Sequence, residues 1–285
     1  MTSASLGMTF ASLGMTSASL RMTSWLWMTT FGGGDYHPRM PRTAVVIPCY
    51  NEARRLDVPA FQAFARTGSA HLILVNDGST DDTSSVLREI ASSADDVTVM
   101  ELPQNRGKAE AVRQGMLAGV AMHADYVGFW DADLATPFDA VNGFIERLDA
   151  VPDLEAVIGS RVRLLGRTIE RRAVRHYTGR VFATCVSLTL RLPVYDTQCG
   201  AKLFRATPQL ERALATPFLS RWIFDVELLA RLGVRDGRYA SQQLLDSIYE
   251  YPLLTWRDVA GTRLSFEDFP TAALDLWRIY RTYIR

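Results

Sequence analysis

Asp131-Ala132-Asp133 closes a short apolar run at 126–130. Alternate residues of an extended segment share a face, so the two carboxylates point the same way. A pair of this kind suits a hard divalent cation such as Mg2+ or Mn2+, which keeps waters and takes substrate phosphates when protein ligands are few. It equally suits a solvated acidic turn capping the next helix. Asn105-Arg106-Gly107-Lys108 opens a helix-length segment with a glycine and a cation, a pattern that fits a phosphate or an ordinary turn. Asn76-Asp77-Gly78-Ser79 leads into Thr80-Asp81-Asp82-Thr83, a turn with helix-capping residues. Lys108 and Lys202 are the only lysines in the chain, and both fall inside such clusters.

The elements that must position these residues alternate. Apolar runs at 44–47, 71–75, 97–102, 126–130 and 157–158 are separated by helix-length segments at 59–66, 81–92, 108–122 and 137–149. Short buried strands alternating with helices predict an α/β fold: a mostly parallel, Rossmann-like sheet with helices on both faces. Ligands of such sheets sit beyond the carboxyl ends of the strands. Each polar cluster follows a strand, so all are expected to meet at one cleft.

Composition narrows the classes. The chain has 285 residues, 31 basic against 31 acidic, 48% hydrophobic and 22% charged, the balance of a folded domain. At about 150 residues per domain it makes one large domain or two fused halves. Zero net charge argues against a nucleic-acid partner, whose footprint is usually basic. Cys49, Cys185 and Cys199 are odd in number and widely spaced, which fits neither a disulfide framework nor a zinc site and points to a reducing cytosol. No uncharged apolar run reaches the roughly 18 residues of a transmembrane span; the longest candidate, 181–190, is bracketed by Arg180 and Arg191. Residues 1–27 are a degenerate seven-residue repeat followed by Gly32-Gly33-Gly34. Its apolar spacing suits no coiled-coil seam, so residues 1–40 are expected to be a disordered extension, with a membrane-touching role for Trp25 and Trp27 as the alternative.

Pro48-Cys49-Tyr50-Asn51-Glu52, Asn76-Asp77-Gly78-Ser79, Asn105-Arg106-Gly107-Lys108, Asp131-Ala132-Asp133 and Gly159-Ser160-Arg161, in that order, resemble the inverting family 2 glycosyltransferases of the GT-A fold. The resemblance runs from about residue 43 to residue 263. Asp196-Thr197-Gln198-Cys199-Gly200-Ala201-Lys202-Leu203-Phe204, Trp222-Ile223-Phe224-Asp225-Val226-Glu227-Leu228 and a late segment ending at Arg263 resemble the dolichyl-phosphate β-glucosyltransferase branch in particular. It implies a GT-A domain over 41–265; beyond it, the spacing of apolar residues predicts an amphipathic helix over 266–285. The resemblance also implies that Pro48, Tyr50, Glu52 and Asp77 meet the nucleoside, Asp77 accepting from the base, and that Lys108 lies near nucleotide and sugar. Asp131 and Asp133 would hold Mg2+ or Mn2+ on the diphosphate. Arg161, Arg171 and Arg263 would bind the acceptor phosphate, and Asp225, ahead of Glu227, would contact the sugar or assist as a base; for Glu227, a polar surface position is as good a reading. The departures are Asn76 where the family has Asp, Ala109 where it has Gly and Ala201 where it has Phe, the last bearing on the sugar pocket. Ala135 stands where the mannosyl branch often has Gln, which leans toward glucose.

The resemblance thus implies transfer of glucose from UDP-glucose to a polyprenyl phosphate, with GDP-mannose or a non-catalytic partner subunit as alternatives. A lipid phosphate is already largely ionised at neutral pH, so it needs positioning and charge compensation more than a strong base. Arg161, Arg163, Arg167, Arg171, Arg172, Arg175 and Arg180 cluster before an apolar segment, and apolar and aromatic residues from Phe269 to Ile284 recur at helical spacing among arginines. These features suit peripheral attachment to the cytoplasmic face of a membrane without a span. For the C-terminal helix, packing on its own domain is the alternative.

Overall fold

The strands alternate inside as well as between helices. The structure is a computed structural model and describes residues 42–170, 173–259 and 269–285. The expectations for residues 1–40, Arg171 and Arg263 lie outside the described residues. In β1 (Thr43–Cys49), Ala44 and Val46 enter one apolar cluster while Val45 and Ile47 enter another. In β2 (His71–Asn76), Ile73 and Val75 face the first cluster and Leu72 and Leu74 the second. A period of two with apolar residues on both sides is what a sheet covered on both faces requires.

The predicted alternation is present. After β1 and β2, separated by α1 (Val58–Ala65), come α2 (Thr83–Ala91), β3 (Val97–Glu101), α3 (Lys108–Ala121), β4 (Tyr126–Trp130), α4 (Asp139–Ala150) and β5 (Ala156–Ser160). The second half is less regular: β6 (Thr168–Glu170), α5 (Ala173–Leu190), β7 (Ala201–Arg205), α6 (Pro208–Leu214) and α7 (Phe224–Leu232). A hairpin of β8 (Val234–Arg235) and β9 (Arg238–Tyr239) follows, then α8 (Ser241–Asp246), β10 (Ile248–Pro252), β11 (Thr255–Arg257) and α9 (Phe269–Ile279), which continues as a π-helical turn, Tyr280–Ile284.

Seven strands form the main sheet in the order β10-β5-β7-β4-β1-β2-β3. Its pairs are parallel except those of β7, which runs antiparallel between β4 and β5. That reversal matters for the site. The parallel strands deliver their carboxyl ends to one edge, and β7 delivers its amino end, Cys199-Gly200, to the same edge. α1, α2 and α4 cover one face through Phe61, Leu87 and Phe144. α3, α6, α7 and α9 cover the other through Met116, Leu214, Leu228 and Ile279.

The C-terminal helix packs on its own domain. Leu276, Ile279 and Ile284 join the first cluster, and buried Asp275 accepts a 2.7 Å hydrogen bond from Ser220 Oγ. Leu274 and Trp277 remain 46% and 53% exposed, so the helix keeps an outward apolar face. No helix among the described residues is long and apolar enough to cross a membrane.

Candidate active site

The turns after β1 and β2 are tied to each other. Asn51, at φ +54, donates its N–H to Ser79 Oγ at 3.0 Å and accepts from Thr80 N at 2.9 Å. Glu52 donates its N–H to Thr83 Oγ1 at 2.9 Å, while Pro48 and Tyr50 are half-buried beside it. Asp77 is buried, and its two oxygens accept the main-chain N–H groups of Arg106 and Gly107, each at 2.8 Å. This carboxylate therefore pins the loop that opens α3, work the sequence reading did not anticipate. Asn76 is buried and its side-chain amide is spent locally: it donates to Glu101 Oε2 at 2.5 Å and its carbonyl accepts from Ser79 N at 3.0 Å. An Asp there would face the Glu101 carboxylate, which explains the amide physically.

Asp131 and Asp133 leave β4 beside Lys108 and Arg55. Lys108 Nζ bonds Asp131 Oδ1. Arg55 reaches Asp133 Oδ2 at 3.5 Å and Glu52 Oε1 at 3.0 Å, linking the β1 turn to the acidic pair. Burial, and next the charge of Asp131, pushes the Asp133 carboxyl above its usual range. Desolvation works against the Lys108 ammonium, but Asp131 foremost, then Asp225 and Asp133, outweigh it and hold its pKa above the ordinary value. Two neighbouring carboxylates, with cations drawn against both, make a donor set that fits a divalent ion. Among the described residues no group of three or more His, Cys, Asp or Glu is placed to hold a metal. Gly200 is required here: a Cβ would stand 1.8 Å from Asp131 Oδ2.

Asp225 begins α7 with a fixed orientation. Gln198 Nε2 donates to its Oδ1 at 2.5 Å, and Lys202 Nζ to its Oδ2 at 3.3 Å. Lys202 is fully buried in β7, also donates to Cys199 O at 2.6 Å, and lies 5.2 Å over the Phe129 ring. Glu227 is not a surface residue: it is fully buried and accepts from Arg231, Tyr283 and the N–H groups of Leu219 and Ser220. Arg161 grips Asp196 in a two-pronged pair, 2.6 and 2.7 Å, beneath Trp256. Two of its donors are thus committed, and the charge of Asp196 raises the guanidinium's pKa against the opposing effect of burial. Ala201 is fully buried in the core and does not line the cleft.

Asp77, Lys108, Asp131, Asp133, Arg161 and Asp225 are therefore gathered at one edge of the sheet, while Glu227 belongs to the scaffold. Arg55, Asp196, Gln198 and Lys202 were given no role from sequence. Asp196, Gln198 and Lys202 stand in one quoted motif, and that was the signal available for them.

A mostly parallel sheet whose strand ends present an acidic pair, a lysine and a loop held by Asp77 is the GT-A arrangement of nucleotide-sugar transferases. Residues 44–209 match the family described as Glycosyl transferase family 2, and the chain belongs to that family. Similar relatives include the dolichyl-phosphate beta-glucosyltransferase of Saccharomyces cerevisiae, 31% identical over 85% of this chain and 75% of the relative. The Mus musculus protein of the same name is 32% identical over 78% and 69%. Among solved structures, glucosyl-3-phosphoglycerate synthase from Mycobacterium tuberculosis, in complex with Mn2+, uridine-diphosphate and glucosyl-3-phosphoglycerate, is 18% identical at a TM-score of 0.61, covering 97% of this chain and 88% of its own. At that identity the likeness is one of fold.

Proposed function

We propose that the chain transfers glucose from UDP-glucose to a polyprenyl phosphate of the dolichyl type, inverting the anomeric centre. The observation that carries this reading is the convergence of Asp131, Asp133, Lys108 and the oriented Asp225 at one cleft, in a chain about a third identical to dolichyl-phosphate β-glucosyltransferases. An acceptor phosphate oxygen attacks the anomeric carbon, and the bond to the donor diphosphate breaks with its electron pair left on the departing oxygen. Asp131 and Asp133 would hold a divalent ion, Mg2+ or Mn2+, whose chemistry is to stabilise that developing charge. Lys108 supplies a second positive charge beside it. Asp225, whose Oδ1 accepts from Gln198 and the Val226 N–H and whose Oδ2 accepts from Lys202, keeps a lone pair of Oδ2 for a sugar hydroxyl. Arg161, with Arg171 and Arg263, would receive the acceptor phosphate through its remaining donors. Ala135 stands where the mannosyl branch often has a ligating Gln, and its methyl supplies no ligand, which leans toward glucose; its N–H bonds Asp133 at 3.1 Å.

The lipid acceptor implies contact with a membrane surface, and we place it at the cytoplasmic face. Exposed Leu164 and Leu165 lie among Arg161, Arg163 and Arg167, and exposed Leu274 and Trp277 lie beside Arg278 and Arg281, which supports peripheral contact. The test is transfer of labelled glucose or mannose from UDP-glucose or GDP-mannose into an extractable short polyprenyl phosphate. Label is expected from UDP-glucose alone, dependent on a divalent ion and lost in Asp133→Ala. Label from GDP-mannose would move the assignment to mannose; none from either donor would overturn the lipid acceptor.

A further inference from the structure

Arg221 stands four residues before Asp225, just ahead of α7. Its guanidinium lies against Gly107: a Cβ on that glycine would be 2.8 Å from Nε and 3.0 Å from Nη2. Nη2 also donates to Asn105 Oδ1 at 3.3 Å. Arg221 thus rests on the loop that Asp77 pins, next to Lys108 and hence to Asp131. Arg55, Arg113, Arg161 and Arg231 all spend their charge on carboxylates. Arg221 is exposed and, among the described residues, makes no ion pair.

The peptide that carries Arg221 is clamped from the far end of the chain. Ser220, fully buried, accepts the N–H groups of Trp222 at 3.2 Å and Ile223 at 3.0 Å and donates to Asp275 Oδ2 at 2.7 Å. Asp275 belongs to α9 and is itself buried. An arginine with unspent charge, held over the loop that opens α3, is placed to meet phosphate oxygens through paired N–H donors.

We propose that Arg221 binds the diphosphate of the nucleotide-sugar donor and neutralises charge on the leaving β-phosphate, and that Asp275 is its positioning residue. This rests on the donor reading given above. Its side of the cleft is the donor side, because its contacts are the loop residues Asn105 and Gly107, while Arg161 is held by Asp196 near Trp256.

Calorimetric titration of the full chain with UDP and UMP in Mn2+ tests this, because only UDP carries the β-phosphate. Arg221→Gln is expected to weaken UDP about 10- to 100-fold, the size of a charge-assisted bond, with UMP within twofold. Arg221→Lys should restore part of the loss. Asp275→Asn should weaken UDP severalfold and add nothing on top of Arg221→Gln. Equal weakening of UDP and UMP would overturn the proposal. So would unchanged UDP binding with a raised KM for the polyprenyl phosphate, which would assign Arg221 to the acceptor. Full additivity of Asp275→Asn with Arg221→Gln would overturn the positioning role of Asp275. A parent protein that binds neither nucleotide would instead sink the donor reading itself.

Discussion

Asp225 and Glu227 stand two residues apart on α7, yet the fold gives them opposite tasks. Asp225 is turned toward the cleft, its oxygens set by Gln198 and Lys202. Glu227 is turned toward the C-terminal helix, where one oxygen accepts from Arg231 and Tyr283 and the other from the N–H groups of Leu219 and Ser220. Both are buried carboxylates paired with a cation. The difference is what lies beyond them: Lys108 and the acidic pair in one case, the C-terminal turn in the other. Burial and pairing alone therefore do not separate a candidate site acid from a scaffold acid; the groups each carboxylate faces do.

The largest effect that would test this contrast is on stability. Glu227→Ala leaves the Arg231 guanidinium buried without its carboxylate, which costs about 3–5 kcal/mol. Urea unfolding should show that loss, while UDP affinity of the fraction still folded should fall no more than severalfold, since Glu227 also holds the N–H groups of Leu219 and Ser220 next to Arg221. A stability near that of the parent would break the contrast from the scaffold side. From the cleft side, Asp225→Asn should lower transfer about 100-fold, equivalent to roughly 2.7 kcal/mol of barrier, and should cost less stability than Glu227→Ala, because the amide oxygen can still accept from buried Lys202. If Asp225→Asn instead unfolded the protein as readily as Glu227→Ala, the two residues would share one structural role.

Part of this contrast was available from helix geometry. At 3.6 residues per turn, residues two apart point to nearly opposite sides, so Asp225 and Glu227 cannot share a target. Which of them meets the cleft depends on what α7 packs against, and every residue of α7 from Phe224 to Leu232 is buried. A polar surface face for Glu227 therefore does not exist. The strand ends were legible because each is local: an apolar run, then a polar turn, as at Asn76-Asp77 and Asp131-Ala132-Asp133. β7 was not, because its antiparallel insertion between β4 and β5 is a long-range pairing, and its second residue, Lys202, breaks the apolar pattern of a buried strand. The Arg161–Asp196 pair, 35 residues apart, was hidden for the same reason.

Lys202 sharpens the comparison at a smaller scale. Lys202→Met keeps an unbranched side chain in the strand but frees one Asp225 oxygen, while Gln198 still holds the other. Transfer should fall about tenfold, the size of one net hydrogen bond to a charged group, chiefly in kcat, with UDP affinity unchanged. A fall in UDP affinity of the same size would mean that Lys202 supports the nucleotide site and not the orientation of Asp225.

The smallest expected effect lies at the other end of α7. The Tyr283 hydroxyl is 3.1 Å from Glu227 Oε1 and 3.1 Å from Arg231 Nε, so it donates to the acid and accepts from the base of one buried pair. Tyr283→Phe keeps the ring but removes both bonds, while Arg231 still meets Glu227 and the carbonyls of Ala213, Thr216 and Pro217. With the pair otherwise satisfied, the loss should be about 1 kcal/mol, seen as a small drop in unfolding midpoint with transfer per folded molecule unchanged. A transfer defect without a stability change would show that the C-terminal turn acts on the cleft through α7, and the separation of Asp225 from Glu227 would then be one of degree.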